Sequence, residues 1–359
     1  PWDFFLEPLN EGTDDMVISS ISFPFPIRLP MGIEHIILVG AAIEATGNDL
    51  DNSLTGNSRA NKLDGGVGAD TMTGGTGADT YVVDDPGDQV VETTAGVAGG
   101  IDTVLSSINF ELTTLINVEK LTLAMGFGDL DATGNGLNNT LLGNEGANVL
   151  DGLAGNDTMT GGKGDDTYVV DSLTDVVNET ILNSNGGGVD LVSSSVNLSL
   201  ATRTNIENLT LTGGAVSGTG NALNNAIVGN AANNVLNGGT GNDTLTGGEG
   251  SDKLTGGTGR DTFDFDLKSE LGDADSITDF TKGAGGDVLD ISDLLESVSY
   301  AGSDVFADGY LSFGYSNGTT SIMFDDDGVG ANNALLLVSL TNVTLTASNT
   351  ENFAFNYTV

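Results

Sequence analysis

The sequence predicts an all-β fold, a parallel β-roll or β-solenoid closed by a C-terminal β cap. Three observations lead there. Apolar residues recur every nine positions in three blocks, Asp or Asn stands two residues before each of them, and the blocks themselves recur about every 87 residues. Such periods mark stacked units, each too small to bury its own apolar row and stabilised by its neighbours.

Composition bounds what the stack can do. The 359 residues carry 51 Asp+Glu, 10 Lys+Arg, 53 Gly, one His and no Cys, for a formal net charge of -41. Self-repulsion of that size expands a chain unless cations neutralise it. Nucleic acid is excluded as a partner, because phosphate binding needs a basic face. There is no run of about 18 apolar residues, so no membrane span is expected. Hard divalent cations take carboxylate and carbonyl oxygens, whereas zinc and copper draw on the His and Cys that this chain scarcely has. The absence of Cys suits export in an unfolded, disulfide-free form.

The elements follow in order. Residues 1–13 open on Pro1-Trp2-Asp3-Phe4-Phe5-Leu6, with no basic-then-apolar signal stretch. They read as an N-terminal cap or as a peptide that docks on an identical copy. Three super-repeats come next, 14–101, 102–189 and 190–266, each with a connector and a nonapeptide block. The connectors open on Asp15-Met-Val-Ile-Ser-Ser-Ile, Asp102-Thr-Val-Leu-Ser-Ser-Ile and Asp190-Leu-Val-Ser-Ser-Ser-Val. A second strand is expected from Ile33-Glu34, Val118-Glu119 and Ile206-Glu207, and Thr-Gly-Asn at 46, 133 and 219 leads into the blocks 46–92, 133–179 and 219–266. Because the connectors repeat as faithfully as the nonapeptides, one continuous solenoid is expected rather than three beads.

Within the blocks the apolar positions are Leu54, Leu63, Met72 and Tyr81, then Leu141, Leu150, Met159 and Tyr168, then Ile227, Leu236, Leu245, Leu254 and Phe263. The fullest units read GGVGADTMT from Gly65, GGTGADTYV from Gly74, GGKGDDTYV from Gly161 and GGTGNDTLT from Gly238. Glycine permits positive φ and close approach of backbone to an ion. Six residues thus form a tight, carbonyl-lined turn ending in a carboxylate, and three form a short strand whose middle side chain points inward. Two units complete a coil of 18 residues, so each Asp lies below the Asp 18 positions on. A calcium ion wedged between stacked turns would receive two carboxylates and several carbonyls, close to the six or more oxygens it prefers.

These units resemble the RTX (repeats-in-toxin), hemolysin-type calcium-binding repeats, over 46–92, 133–179 and 219–266. The resemblance implies that the carbonyls at positions two and four of one nonapeptide, with its Asp, face positions one and three of the nonapeptide two along, with its Asp. On this sequence one site would join Gly239, Gly241 and Asp243 to Gly256, Thr258 and Asp261. Asn148 would face Gly161, Lys163 and Asp166, and Asn234 would face Gly247, Glu249 and Asp252. Gly74, Thr76 and Asp79 take the same upper positions in the first block. The frame also runs past the glycines, since Asp88 and Asp175 fall nine after Asp79 and Asp166. Closing sites are therefore expected at Asp70/Asp88, with Gly66 and Gly68, and at Asp157/Asp175, with Gly155. The early units carry Asn for Asp and lack the glycine pair, as in Asn57-Ser-Arg-Ala-Asn61, so they are expected to bind weakly or to stack without metal.

Residues 267–359 leave the frame. Asp275-Ser-Ile-Thr-Asp-Phe and Gly286-Asp-Val-Leu-Asp-Ile are followed by alternating strands at Tyr310 to Tyr315 and Thr319 to Phe324, and the chain ends Glu351-Asn-Phe-Ala-Phe-Asn-Tyr-Thr-Val359. This resembles the C-terminal target region of proteins exported by type I secretion machinery. It is also expected to cap the open solenoid end. Asp325-Asp-Asp-Gly328 begins like a calcium loop but has no Glu at the twelfth position, so no EF-hand is expected. Gly314-Tyr-Ser-Asn-Gly318 fits the nucleophile-elbow pattern, yet the only His is His35, far upstream, and a hairpin turn is expected instead. No catalytic site and no enzyme activity are expected.

The function these features imply is a secreted, extracellular calcium-binding structural protein that folds on calcium after export. A surface-layer (S-layer), filament or adhesin subunit of the cell surface or matrix fits, with self-assembly among identical copies. The alternative is the secretion and folding module of a larger extracellular enzyme such as an RTX protease or lipase.

Overall fold

The computed structural model describes residues 4–6, 15–22, 32–265, 275–328 and 334–355. Two compact units are present, Pro1–Gly188 and Val189–Val359. Both are parallel β-rolls, as the nine-residue period predicts.

In the first unit a six-stranded sheet runs Phe4–Leu6, Met16–Ser19, His35–Leu38, Ser53–Thr55, Thr71–Thr73 and Gln89–Val91. Its pairs are parallel except the first, where Phe4 stands opposite Ser19 in antiparallel register. The rest of the opening apolar segment lies outside the described residues. An eight-stranded parallel sheet starts at Glu44–Thr46, Lys62–Asp64, Thr80–Val83 and Thr103–Ser106. It continues through Lys120–Leu123, Thr140–Leu142, Thr158–Thr160 and Val176–Asn178. Four further parallel strands run Phe110–Glu111, Ala132–Thr133, Val149–Asp151 and Thr167–Val170.

The second unit repeats the plan. Leu191–Ser194, Asn208–Leu211, Ala226–Val228, Thr244–Thr246, Thr262–Asp264, Val288–Asp290 and Phe353–Ala354 form parallel pairs in that order. An eight-stranded sheet begins Leu198–Ser199, Ser217–Thr219, Val235–Thr240, Lys253–Thr258 and Asp275–Ile277. It then takes Leu335–Thr341 in parallel and ends on Thr319–Phe324 and Leu311–Ser316, joined in antiparallel pairs.

The core is the inward row of these strands. Leu54 stands opposite Met72 and Leu63 opposite Tyr81, all fully buried, as the 18-residue coil requires. Leu141 on Met159, Leu150 on Tyr168, Ile227 on Leu245, Leu236 on Leu254 and Leu245 on Phe263 repeat the arrangement. Each such side chain contributes roughly 1.5–3 kcal/mol on burial, so a strand of three residues holds only as part of the column.

Each connector is a coil of the roll in its own unit. Met16–Ser19, Thr103–Ser106 and Leu191–Ser194 each pair with the strand about 18 residues on, and each ends on a serine whose Oγ donates to the carbonyl two residues ahead, Ile21, Ile108 or Val196. At the C-terminal end the cap is not purely β. A helix, Ser292–Ser297, buries Leu294 and Leu295. Phe306 stacks on Phe313 at 5.3 Å and meets Phe353 edge-on at 5.4 Å. The Gly314–Gly318 pentapeptide is a hairpin: Ser316 pairs with Thr319, and Asn317 and Gly318 lie at φ +51° and +82°, the two positive angles of a tight two-residue turn. Among the described residues no helix is long and apolar enough to cross a membrane.

Candidate metal centres

Each turn's sixth residue is tied to the one a coil above. The backbone N–H of Asp243 donates to Oδ1 of Asp261 at 3.0 Å, that of Asn234 to Asp252 at 2.6 Å, and that of Asn148 to Asp166 at 2.8 Å. In the first block Asn52 and Asn61 donate likewise to Asp70 and Asp79. Carboxylates therefore climb each block as a ladder, with one oxygen of each spent on stacking.

The second oxygen is left over. Oδ2 of Asp70, Asp157 and Asp243 is buried and accepts no hydrogen bond. A buried carboxylate oxygen without a partner is costly unless a cation meets it. The space around it is kept by missing side chains. A Cβ on Gly238 would strike both Asp243 Oδ2 and the Gly256 carbonyl oxygen, so these two oxygens converge on one point. Gly239 and Gly241 lie at φ +104° and +125°, and their carbonyls press against Gly257 and Gly259 of the next coil, where no Cβ fits. Carboxylate and carbonyl oxygens thus face each other across stacked turns, the donor set of a hard dication.

Burial, with the neighbouring acids, pushes the Asp70 carboxyl up to about 7, Asp88, Asp84 and Asp51 adding to it. Asp157 and Asp243 rise to about 6 for the same first reason, with Asp175 and Asp261 as the nearest like charges. Asp166 rises to about 7 through burial and then Glu179 and Asp165. Burial thus disfavours the charged form of these groups, and a cation beside them would favour it.

The expected site residues fall as follows. Asp243, Asp261 and Gly256 come together, whereas the Thr258 carbonyl accepts the Gly241 N–H at 2.9 Å, because Gly239 and Thr240 extend the strand pairing onto Gly257 and Thr258. Side chains of Lys163, Glu249 and Thr258 point to solvent, which leaves only their backbone to a site, and Thr76 is half-buried. Gly74, Gly161 and Gly247 sit where a Cβ would meet Asp79, Asp166 and Asp252 in their own turns. Gly66 and Gly68 pack on the Asn48 and Leu50 carbonyls, and Gly155 on that of Leu137. Asp88 stacks on Asp70, with Oδ1 taking the Asp70 N–H at 3.0 Å and Oδ2 the N–H groups of Asp84 and Asp85. Asp175 does the same above Asp157 and for Ser172. The two closing carboxylates therefore also hold their own turns.

The Asn turns are a second kind of coil. In Gly220-Asn-Ala-Leu-Asn-Asn, Oδ1 of Asn225 accepts the Asn221 N–H at 2.8 Å, and its Nδ2 donates to the Glu207 carbonyl at 3.0 Å. Asn221 Nδ2 donates to the Ile206 and Arg203 carbonyls. The pairs Asn48/Asn52, Asn57/Asn61, Asn135/Asn139, Asn144/Asn148 and Asn230/Asn234 repeat this clip. Two amides thus supply the positive ends that an ion would otherwise bring to the carbonyls below.

Sequence reasoning missed the connector acids. Glu34 Oε2 accepts the Asp15 N–H at 2.8 Å, Glu119 that of Asp102 at 3.0 Å and Glu207 that of Asp190 at 2.9 Å, so the ladder runs through the connectors with Glu in place of Asp. The signal was present, since these acids stand at one place in every super-repeat. The upper end was not legible: Asp261 donates to Asp287, 26 residues on, and the Asp287 carbonyl takes the amide of buried Asn352 at 2.6 Å.

No curated protein matches the chain. The family model of the RTX calcium-binding nonapeptide repeat (4 copies) matches residues 46–81, 133–168 and 219–264, the three blocks that carry the carboxylate ladder. The chain is a calcium-binding repeat protein, built on RTX nonapeptide repeats.

Proposed function

We propose that this chain is a calcium-folded structural protein of the cell surface or extracellular matrix, exported by type I secretion and folded outside. The observation that carries the reading is the column of buried carboxylate oxygens without partners, at Asp70, Asp157 and Asp243, in a chain of net charge -41. In the third block the ion would be held by Asp243, Asp261 and the carbonyls of Gly239, Gly241 and Gly256. In the first and second blocks Asp70 with Asp88 and Asp157 with Asp175 supply the carboxylates. The role is non-catalytic: every acid in the column has a place in the ladder.

Extracellular calcium modules bind with affinities of about 10⁻⁴–10⁻³ M. At ten times such a Kd each site stabilises the folded form by roughly 1.4 kcal/mol, so several sites together match the stability of a typical domain. At cytosolic calcium the same sites contribute almost nothing, and repulsion keeps the chain extended for export. Circular dichroism in chelator and then in millimolar calcium tests this, and a β spectrum unchanged by calcium at neutral pH overturns it. Electron microscopy with calcium tests the structural role. Ordered sheets or fibres support a self-assembling subunit; dispersed particles favour the module of a larger secreted enzyme.

A further inference from the structure

At the end of the first block the ladder leaves the nine-residue frame. The residue 18 after Asp79 is Val97, yet the N–H of Asp79 donates to Oδ1 of Asp102, 23 residues on, at 2.6 Å. A loop with a 3₁₀ turn, Gly96–Ala98, takes up the five extra residues. Its Ala98 carbonyl accepts the Gly77 N–H at 3.2 Å, and the Thr103 N–H returns to the Asp79 carbonyl at 2.8 Å. Asp102 thus stacks on Asp79 as a ladder carboxylate that no nonapeptide supplies.

Glu92 enters the same place. It stands 18 residues after Gly74, where the other coils present the carbonyl of a position-one residue. Its Oε2 accepts the Tyr81 hydroxyl at 2.9 Å and its Oε1 the Thr94 N–H at 2.8 Å, which aims the carboxylate inward. One oxygen each from Asp79, Glu92 and Asp102 lie within 4.8 Å of one another. Asp79 and Asp102 are each 1% exposed, and Oδ2 of both accepts no hydrogen bond. A Cβ on Gly74 would strike Asp79 Oδ2 and the Tyr81 hydroxyl, so the space beside them is held open. The charges acting on Asp102 are those of Glu92, Asp79 and Glu119, all negative.

We propose that Asp79, Glu92 and Asp102 form a calcium site outside the nonapeptide frame, sealing the first block onto the connector above it. This rests on the calcium reading of the repeats and adds a third carboxylate to the two of an ordinary nonapeptide site. Affinity for calcium rises with the charge of the ligand set, so this site fills before the two-carboxylate sites of its block. The second super-repeat carries the matching Tyr168 hydroxyl on Glu179 Oε2, also at 2.9 Å.

The test uses the full chain and calcium or terbium as the probe. Glu92→Gln keeps the side-chain shape and an acceptor for Tyr81. It is expected to lose one bound calcium per chain by native mass spectrometry, and to weaken the first binding step by about tenfold or more. Unchanged stoichiometry and affinity overturn the site. Wild-type protein that binds no calcium at all overturns the calcium reading instead, a separate outcome. Tyr81→Phe leaves all three carboxylates in place, so it is expected to keep the ion number while lowering tyrosine-sensitised terbium emission early in the titration. Emission equal to wild type also overturns the site.

Discussion

The N–H of Asp243 donates to Oδ1 of Asp261 at 3.0 Å, while Oδ2 of Asp243 is buried with no hydrogen-bond partner. One oxygen of the acid above holds the coils together; the second oxygen of the acid below is left for an ion. This division of labour makes the effect of a neutral substitution depend on calcium.

Asp243→Asn is expected to act with opposite sign in the two conditions. With saturating calcium it removes one charged ligand and costs about 1–2 kcal/mol, seen as a lower denaturation midpoint and a higher calcium requirement. In chelator it removes a carboxylate that burial and Asp261 already disfavour, so residual structure increases. A loss of equal size in both conditions refutes the role.

Without calcium, acid should replace the ion. The Asp70 and Asp166 carboxyls are raised from 3.8 to about 7, and Asp157 and Asp243 to about 6. Folded-state values above the unfolded ones mean the folded form binds more protons. Their contribution is fully present below about pH 4 and is lost as pH rises through about 6 to 7. In chelator, β-structure measured by circular dichroism is therefore expected near pH 4–5 and lost by pH 8. Calcium restores it at pH 8, with an affinity that falls as pH drops below 7.

The amide clips should be indifferent to calcium. Asn225→Ala removes the donor to the Glu207 carbonyl and the acceptor for the Asn221 N–H. A loss of about 1–3 kcal/mol at saturating calcium is expected, with the number of bound ions unchanged. Loss of an ion from this variant would show that the Asn coils ligate metal after all.

Leu153 occupies a glycine position at φ +57° in the turn that ends in Asp157. A left-handed conformation costs a non-glycine residue about 1–2 kcal/mol. Leu153→Gly is expected to raise stability by about 1 kcal/mol in chemical denaturation, and a destabilised variant would show that the exposed part of the leucine packs usefully.

The periodic part of the fold is legible in the residue order alone. The nine-residue spacing places Leu54 on Met72 and Leu236 on Leu254, and alternation along a strand admits no other inward row. The stacking of Asp261 on Asp243 and of Asp88 on Asp70 follows from the same arithmetic. The tertiary structure decided what happens where the count breaks. A loop of five extra residues carries Asp102 onto Asp79, and Glu92 reaches the same spot because Tyr81 and Thr94 hold it there. It also decided that Asn225 and Asn221 clip carbonyls with their amides, a partnership between coils that residue identity alone does not reveal. Inside the frame, one spacing dictates every neighbour. Outside it, neighbours are chosen by which buried oxygens and N–H groups can be satisfied together, and that is settled only when the coils stack.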